Sequence, residues 1–551
     1  MSNSNFSRRR FLRTSAALAA ASAIVSQHAW GSVEPQESGN VTPVPNDIFD
    51  LFQCPQWLKD AKFGLWLCWG PQSVPGGGGG WYSRHMYAHG KDLKEPFGEN
   101  AWDFHREHYG HQSQFGYKDI CNLWKAENFD AEAMMRQFKK WGARYAAIIV
   151  NFSDNFDLFN SSIHGWNATK VGPKRDIVGE FSAAARKYGL KWAATSHGGA
   201  WGNIWYDAAM SCDKEGPLKD VPYDGVLTKA DGKGLWWEGL DPQQLYAINY
   251  PDYEKEFSQR MIELVENYQP DMLYFDLVEI PVPAVEAARR LYANSLKKHG
   301  SIQAVVTVKQ SQNGTLLDYE TGVSDKLEKD YWQDDTTLVN AWFLKPLDTK
   351  KNVAFRIDEV ESPSDDSDII LSGLRHNART LKELFVDIIS KRGVLLLNLG
   401  ITAGGIIPQD QMKLMDEFGG WIVSNGEAIY KTDPWKVMGA GGEVARGGHR
   451  ERDVNSTAWD ENVYRFTCNR DKKTLYVHIF GNPDGKEVKI KELADKSLFP
   501  GRVKSVSLIG NGGKTSKVAY KITSDGLAVH LPGQLPFRDC NVLKVNTSGL
   551  W

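Results

Sequence analysis

No CxxC pair occurs in this sequence. Its six cysteines, Cys54, Cys68, Cys121, Cys212, Cys468 and Cys540, are widely and irregularly spaced. That spacing argues against a structural zinc site or a dithiol redox centre. Mostly buried thiols are expected, with one or two bridges available in an oxidising compartment. A dominant charge sign is also missing. The 65 Lys and Arg against 68 Asp and Glu leave a formal charge of −3, without the basic footprint of a nucleic-acid binder. Past the first thirty residues no apolar run is long enough to span a bilayer as a helix. No GxGxxG opens a strand–helix unit, which removes the dinucleotide fingerprint. No internal repeat stands out, and the one biased segment is the glycine run Gly76 to Gly80.

What is present points to an exported globular protein. Apolar content of 42% and charged content of 24% are those of a soluble domain. Twenty Trp, 20 Tyr and 24 Phe fill large cores or offer flat platforms to sugar faces. At the amino terminus, Ser7-Arg8-Arg9-Arg10-Phe11-Leu12 precedes the Ala-rich run Ala16 to Val25. Twin arginines before a modest apolar stretch read as a Tat-type signal peptide over residues 1–31. The expected location is therefore periplasmic or secreted. A linker at 32–47 follows.

The 551 residues exceed one core, and the texture changes once. Up to about residue 436, helical stripes alternate with short, continuously apolar strands. The stripes include Met134, Met135 and Phe138 after Asp130, Ile177, Phe181 and Ala185 after Asp176, and Phe257 to Tyr268. The strands include FGLWLCW from Phe63, YAAIIV from Tyr145, MLYFD from Met272, QAVVTV from Gln303 and VLLLNL from Val394. Such alternation predicts a parallel sheet covered on both sides. Its length, about 400 residues without a dinucleotide opening, favours an α/β fold of the (β/α) TIM-like barrel type over 48–436. Residues 437–551 carry short β-branched runs separated by turns such as Asn511-Gly512-Gly513, and predict an all-β sandwich.

Asp276 ends the strand Met272–Asp276, where a barrel places catalytic groups. Glycoside hydrolysis commonly pairs two carboxylates, about 5–5.5 Å apart in the retaining route. Glu320, in LLDYETGV, is the preferred partner. Glu279, in DLVEIP, is the runner-up because it follows Asp276 directly.

Several ordered stretches together resemble the α-L-fucosidases of glycoside hydrolase family 29. They are AKFGLWLCWGPQSVPGGGGGWYSRHMY, FGYKDICNLWKAENFDAEAMMRQFKKWGARYAAIIV, DNFDLFNSSIHGWNATKVGPKRDIVGEFSAAARKYGLKWAA, LLLNLG, NGEAIYKTDPW, and VKSVSLIGNGG followed by DGLAVHLP. The resemblance implies a barrel with a β-sandwich, a retaining mechanism, and no metal or cofactor. It implies Asp276 as nucleophile and Glu320 as acid/base. Trp81 and Tyr274 become pocket aromatics, and His197 a substrate-facing group. Cys68, Trp69 and Tyr82, with Phe152, Ser153 and Asp154, fall where relatives hold the sugar. Three of these positions, and Gly80 beside them, depart from the family pattern. Cys68 stands for a histidine, Gly80 for a glutamate, and Phe152 and Ser153 for a His-His pair. The expected function is a retaining exo-α-L-glycosidase acting on terminal α-L-fucose, or on a related L-galactose, sulfated or otherwise modified sugar, of an oligosaccharide or polysaccharide. The alternative is a carbohydrate-binding protein on the same fold without turnover.

Overall fold

In the computed structural model, eight short runs carry the architecture. Described are residues 48–76, 80–89, 100–199, 204–248, 250–344, 373–441, 463–481, 483 and 485–551. The expected signal peptide and linker, and three of the five consecutive glycines, lie outside them. Strands β1 (Phe63–Leu67), β2 (Tyr145–Asn151), β3 (Lys191–Ser196), β4 (Met272–Phe275), β5 (Val305–Val308), β6 (Leu316–Glu320), β7 (Trp332–Thr337) and β8 (Gly393–Asn398) pair in parallel in chain order. β8 returns to β1, with Phe63 opposite Leu395, and closes the barrel. Runs such as FGLWL and GVLLLN are buried along their whole length, because the barrel interior takes one face and the outer helices the other.

The helices between strands follow the expected stripes. They include α1 (Ala131–Lys140), α2 (Ile177–Lys187), α3 (Tyr253–Tyr268), α4 (Val285–His299) and α5 (Ala378–Ser390); α6 (Gln409–Ser424), after β8, was not among the expected helices. Asp130 caps α1 by accepting from the Ala133 amide, and Asp176 caps α2 by accepting from Gly179. Each such cap stabilises by roughly 1 kcal/mol. Inside the barrel, Gly64 is required by close approach. A Cβ there would fall 2.3 Å from the Tyr145 ring, whose hydroxyl donates to Gln333 Oε1 at 3.3 Å and to the Leu395 carbonyl at 3.2 Å.

β7 has no apolar signature. Its sequence WQDDTT is nonetheless buried throughout, and Gln333 and Asp335 contribute to a polar layer within the barrel.

The second part contains β9 (Thr432–Ala440), β10 (Tyr464–Asn469), β11 (Thr474–Phe480), β12 (Glu487–Ile490), β13 (Val503–Ile509), β14 (Thr515–Lys517), β15 (Ala519–Thr523), β16 (Gly526–His530) and β17 (Cys540–Thr547). Six form a sheet in the order β14-β13-β17-β11-β10-β9, and β12-β16-β15 form a second. Phe466, Val477 and Leu508 from the first meet Ile490 and Val529 from the second in one apolar core. β9 crosses residue 436, so the sheet begins at Thr432, before the expected boundary. Pro434 interrupts the pattern there, which hides the strand. The six cysteines are free and four of them, Cys68, Cys121, Cys468 and Cys540, are buried, as expected of mostly buried thiols.

The barrel and the sandwich are joined by a buried ion cluster. Asp387 on α5 accepts from Arg465 of β10 at 2.7 Å and from Lys391 at 2.5 Å. Burial would raise the Asp387 carboxyl, but Lys391 and Arg465 outweigh it and hold the group below its ordinary range. Its stabilising effect is therefore complete above the unfolded aspartate pKa of about 3.9 and is lost as pH falls through the lower folded value. Asp387→Ala leaves two buried cations without their carboxylate and should cost about 3–5 kcal/mol. A urea titration near neutral pH checks this, and an unchanged midpoint would show that the cluster contributes nothing net.

Candidate active site

Asp276 follows β4 directly. Its amide donates to the Ser196 carbonyl at 3.1 Å, which continues the strand pairing to the barrel's carboxyl-terminal mouth. Three groups meet its carboxylate. His197 Nε2, just beyond β3, lies 2.5 Å from Oδ2. The Lys309 ammonium, just beyond β5, pairs with Oδ1. The Tyr274 hydroxyl donates to Oδ1 at 3.3 Å. Burial alone would push the Asp276 carboxyl up. His197 and Lys309 more than offset this and hold it well below the usual carboxylate range.

Lys309 also touches Glu320, with Nζ 2.7 Å from Oε2. One ammonium thus bridges carboxylates from β4 and β6. Its own burial would lower its pKa, but Asp276, Glu320 and Asp335 raise it above the ordinary lysine value. A nitrogen in contact with both groups holds their nearest oxygens close together, as the short carboxylate separation of a retaining site needs. Glu279 is exposed on the loop after Asp276 and is not drawn into this cluster.

Aromatic rings back the cluster. Trp66 of β1 stacks on His197, with centroids 6.2 Å apart and an interplanar angle of 16°. It also packs on Tyr274 and Trp342, and its Nε1 donates to Thr195 Oγ1 at 3.0 Å. Asn398, at the end of the LLLN strand, accepts from the Cys68 amide at 2.8 Å and donates to the Trp342 carbonyl at 2.9 Å. The Cys68 thiol is buried, and burial pushes its pKa up, reinforced by Asp276 and Asp335. It therefore faces the site as a neutral thiol.

The β2–β3 pairing slips between Ile149 and Asn151. Such an irregularity beside a site re-aims the side chains that follow it. Phe152 lies on His197 with centroids 4.4 Å apart, and edge-on to Phe343 at 5.3 Å. Gly80 has φ +82, and a Cβ there would lie 2.7 Å from Phe152 Cζ and 3.0 Å from Phe343. The phenylalanine ring fills the space that a side chain at position 80 would need. Ser153 donates its hydroxyl to the His197 carbonyl at 3.1 Å. Trp81 is half-buried against Trp205, at 5.0 Å.

Three expected sugar contacts face elsewhere. Trp69 is fully buried between Trp124 and Phe129, and its Nε1 donates to the Thr402 carbonyl at 2.8 Å. The Tyr82 hydroxyl meets His105 Nδ1 at 2.8 Å within the core. Asp154 accepts from the Tyr117 hydroxyl at 2.5 Å and from the Phe156 amide at 3.2 Å; burial lifts its pKa to about 7. Trp69 lies two residues past β1, where alternate positions face opposite ways; Tyr82 opens the short helix Tyr82–His85, and Asp154 lies in the turn after β2. Lys309, Trp66, Trp342 and Phe343 were not anticipated. The residue just past an apolar strand was a usable signal for Lys309, the same logic that singled out Asp276. Among the described residues, no group of three or more His, Cys, Asp or Glu side chains is arranged to hold a metal ion.

Comparison with known proteins gives this arrangement a context. The Dictyostelium discoideum alpha-L-fucosidase is 22% identical over 500 residues, covering 88% of this chain and 89% of its own. The Rattus norvegicus tissue alpha-L-fucosidase is 26% identical over 394 residues, covering 70% and 71%. The structure of Thermotoga maritima alpha-fucosidase in complex with fucose superposes with a TM-score of 0.61 at 22% identity, over 89% of this chain and 97% of that one. At that identity the superposition establishes the shared fold. The family model for alpha-L-fucosidase matches residues 32–357 and 374–427. By that match, over more than half its length, the chain belongs to the alpha-L-fucosidase family.

Proposed function

We propose that this protein is a retaining exo-α-L-glycosidase that releases a terminal α-L-fucose, or a related L-sugar, from a glycan. The observation that carries this reading is the Lys309 ammonium in contact with both Asp276 and Glu320. Asp276, kept ionised, attacks the anomeric carbon. The glycosidic C–O bond breaks as Glu320 gives its proton to the leaving oxygen. Glu320 then takes a proton from water, whose oxygen displaces Asp276 from the anomeric carbon, so the configuration is retained. The first step needs a proton on Glu320, so Lys309 must release Glu320 as the leaving oxygen arrives and remain on Asp276.

The sugar subsite reads as altered. Phe152 presents apolar surface where the family pattern has a histidine, Phe343 packs edge-on against it, and Gly80 contributes no side chain. A pocket that loses buried partners for hydroxyls loses discrimination of up to roughly 10⁴-fold or more. This favours a related or modified L-sugar, such as L-galactose or a substituted fucose, over unmodified fucose. The second reading, a binding protein without turnover, has less support, since binding alone does not call for a half-buried carboxylate held ionised by His197 and Lys309. Residues 1–31 precede the family match, which begins at residue 32. Together with Arg8 and Arg9, this supports export by the Tat route to the periplasm or beyond.

Hydrolysis of an aryl α-L-fucoside and the matching aryl α-L-galactoside tests the reading. Turnover of the galactoside in preference to the fucoside is expected. Efficient fucoside turnover would show that the Phe152 wall does not exclude unmodified fucose. Tight glycan binding with no turnover of any glycoside would favour the binding protein.

A further inference from the structure

Beneath Asp276 the barrel holds two carboxyl groups that the hydrolytic steps above do not use. Asp318 on β6 and Asp335 on β7 are almost completely buried, at 0% and 1% exposure. The Tyr274 hydroxyl lies 3.1 Å from Asp318 Oδ2, 3.0 Å from Asp335 Oδ2 and 3.3 Å from Asp276 Oδ1. Asp318 Oδ1 accepts from Gln333 Nε2 at 2.9 Å. The two carboxyl groups are also within hydrogen-bonding reach of each other. Asp335 Oδ1 is buried and has no N–H or O–H donor among the described residues.

Counting protons decides what this cluster must be. A phenol has one proton to give and lone pairs with which to accept. Three carboxylate oxygens around it cannot all be satisfied by that proton. A contact between two carboxyl groups is a hydrogen bond only when one of them carries a proton, as in acid pairs held in close quarters. The groups facing the pair supply little positive charge. Tyr274 approaches from β4, Tyr145 from β2 through Gln333, Glu320 and Asp334 from β6 and β7, Cys68 from beyond β1, and Asp276 from above. Lys309 is the nearby ammonium, and it is already shared by Asp276 and Glu320.

We propose that Asp318 and Asp335 work as an acid pair that retains a proton at working pH and thereby aims the Tyr274 hydroxyl at the Asp276 nucleophile. The proton on the pair is shared between the two carboxyl groups, which removes one negative charge from beside Tyr274 and leaves the phenol proton to turn to Asp276 Oδ1. Asp318 and Asp335 are positioning residues. They act through Tyr274 and do not touch the reacting atoms. The environment agrees with this assignment. Burial pushes the Asp318 carboxyl up to about 7. Burial and the charge of Asp318 push Asp335 well above the carboxylate range. Tyr274 is raised well above the ordinary phenol value, first by burial and then by the carboxylates around it, and stays a donor. When the pair loses its proton, Tyr274 turns its hydrogen to the pair and Asp276 loses a partner. Part of the alkaline decline in activity then belongs to these two residues.

This rests on Asp276 acting as nucleophile, so the test has one arm that reads activity and one that does not. Asp335→Asn replaces the acid by a near-isosteric donor that cannot ionise. Its kcat/KM should stay within about threefold of the parent near pH 6, with the alkaline limb displaced upward by about one pH unit or more. Asp335→Leu, without a donor, should lose about tenfold or more in kcat with KM little changed. A superimposable pH profile for Asp335→Asn, or equal kcat for the Asn and Leu variants, would overturn the proposal. Independently of turnover, the parent should show an infrared band of a protonated carboxyl at neutral pH that disappears in the Asp318→Asn/Asp335→Asn double variant. Absence of that band in the parent would refute the acid pair even if no glycoside is cleaved. If Asp335→Leu fails to fold, the Asn profile and the infrared comparison still decide.

Discussion

Replacing Asp276 with alanine should reduce kcat by about 10⁴- to 10⁶-fold, the range seen when a covalent nucleophile is removed from an enzyme whose other groups act in concert with it. The expected loss is large because every neighbour of Asp276 is arranged around its negative charge. His197 and Lys309 hold it ionised and Tyr274 donates to it. Without the carboxylate there is no group to form the glycosyl-enzyme bond, and water at the anomeric carbon has no activated counterpart on that face. Glycan affinity should change little, because Trp66, Phe152 and Trp81 are supported by their own packing. The variant should also fold, since Lys309 keeps Glu320 as a partner. Asp276→Asn serves as a second variant of nearly equal shape. The checks are single-substrate kinetics on an aryl glycoside and calorimetric binding of the same sugar. Residual activity above about 1% of the parent would remove Asp276 from the nucleophile's role.

The second large effect is expected at Lys309. Lys309→Met takes one ammonium from between two carboxylates. Like charges held in one site raise the pKa of at least one member. Asp276 is now held low by His197 and Lys309 against the opposing effect of burial. Loss of Lys309 leaves burial less opposed, so the Asp276 pKa rises. Activity needs the ionised form, and the acidic limb of the pH profile should therefore move to higher pH. The loss in kcat/KM should be about 10²- to 10³-fold, comparable to removing one preorganised electrostatic partner. Lys309→Arg keeps the charge and should retain the position of the acidic limb. A Lys309→Met profile with an unmoved acidic limb would show that His197 alone governs Asp276.

Much of the architecture was legible because the barrel strands announce themselves as short apolar runs between capped helices. Asp276 was legible for the same reason, as a carboxylate that ends such a run. β7 was not, because WQDDTT places its polar side chains in a buried layer that hydrophobic patterning cannot anticipate. Lys309 was hidden as a lysine past a strand end, where a solvated residue is the ordinary expectation. Trp69, Tyr82 and Asp154 were singled out by position, yet their side chains face the core. Proximity in sequence to a pocket residue carries no information about which way the neighbour turns, and local register decides it. Cys68 and Phe152 were noted as departures, but their meaning depends on contacts across strands. The Asn398 hold on the Cys68 amide and the Phe152 ring over His197 are long-range facts.

The close fit of Phe152 over Gly80 bears on how this pocket changes over generations. Restoring any side chain at position 80 first would drive a Cβ to 2.7 Å from the Phe152 ring, on a backbone with φ +82 that already disfavours residues other than glycine. Exchanging Phe152 first meets no such obstacle. The two positions are epistatic, and the order of substitution is constrained: in a lineage, or a laboratory selection starting from this sequence, a side chain at position 80 is accommodated more easily after Phe152 has been exchanged for a smaller residue. While Phe152 stays, the pocket behaves as a ratchet, closed to single-step reversal at position 80.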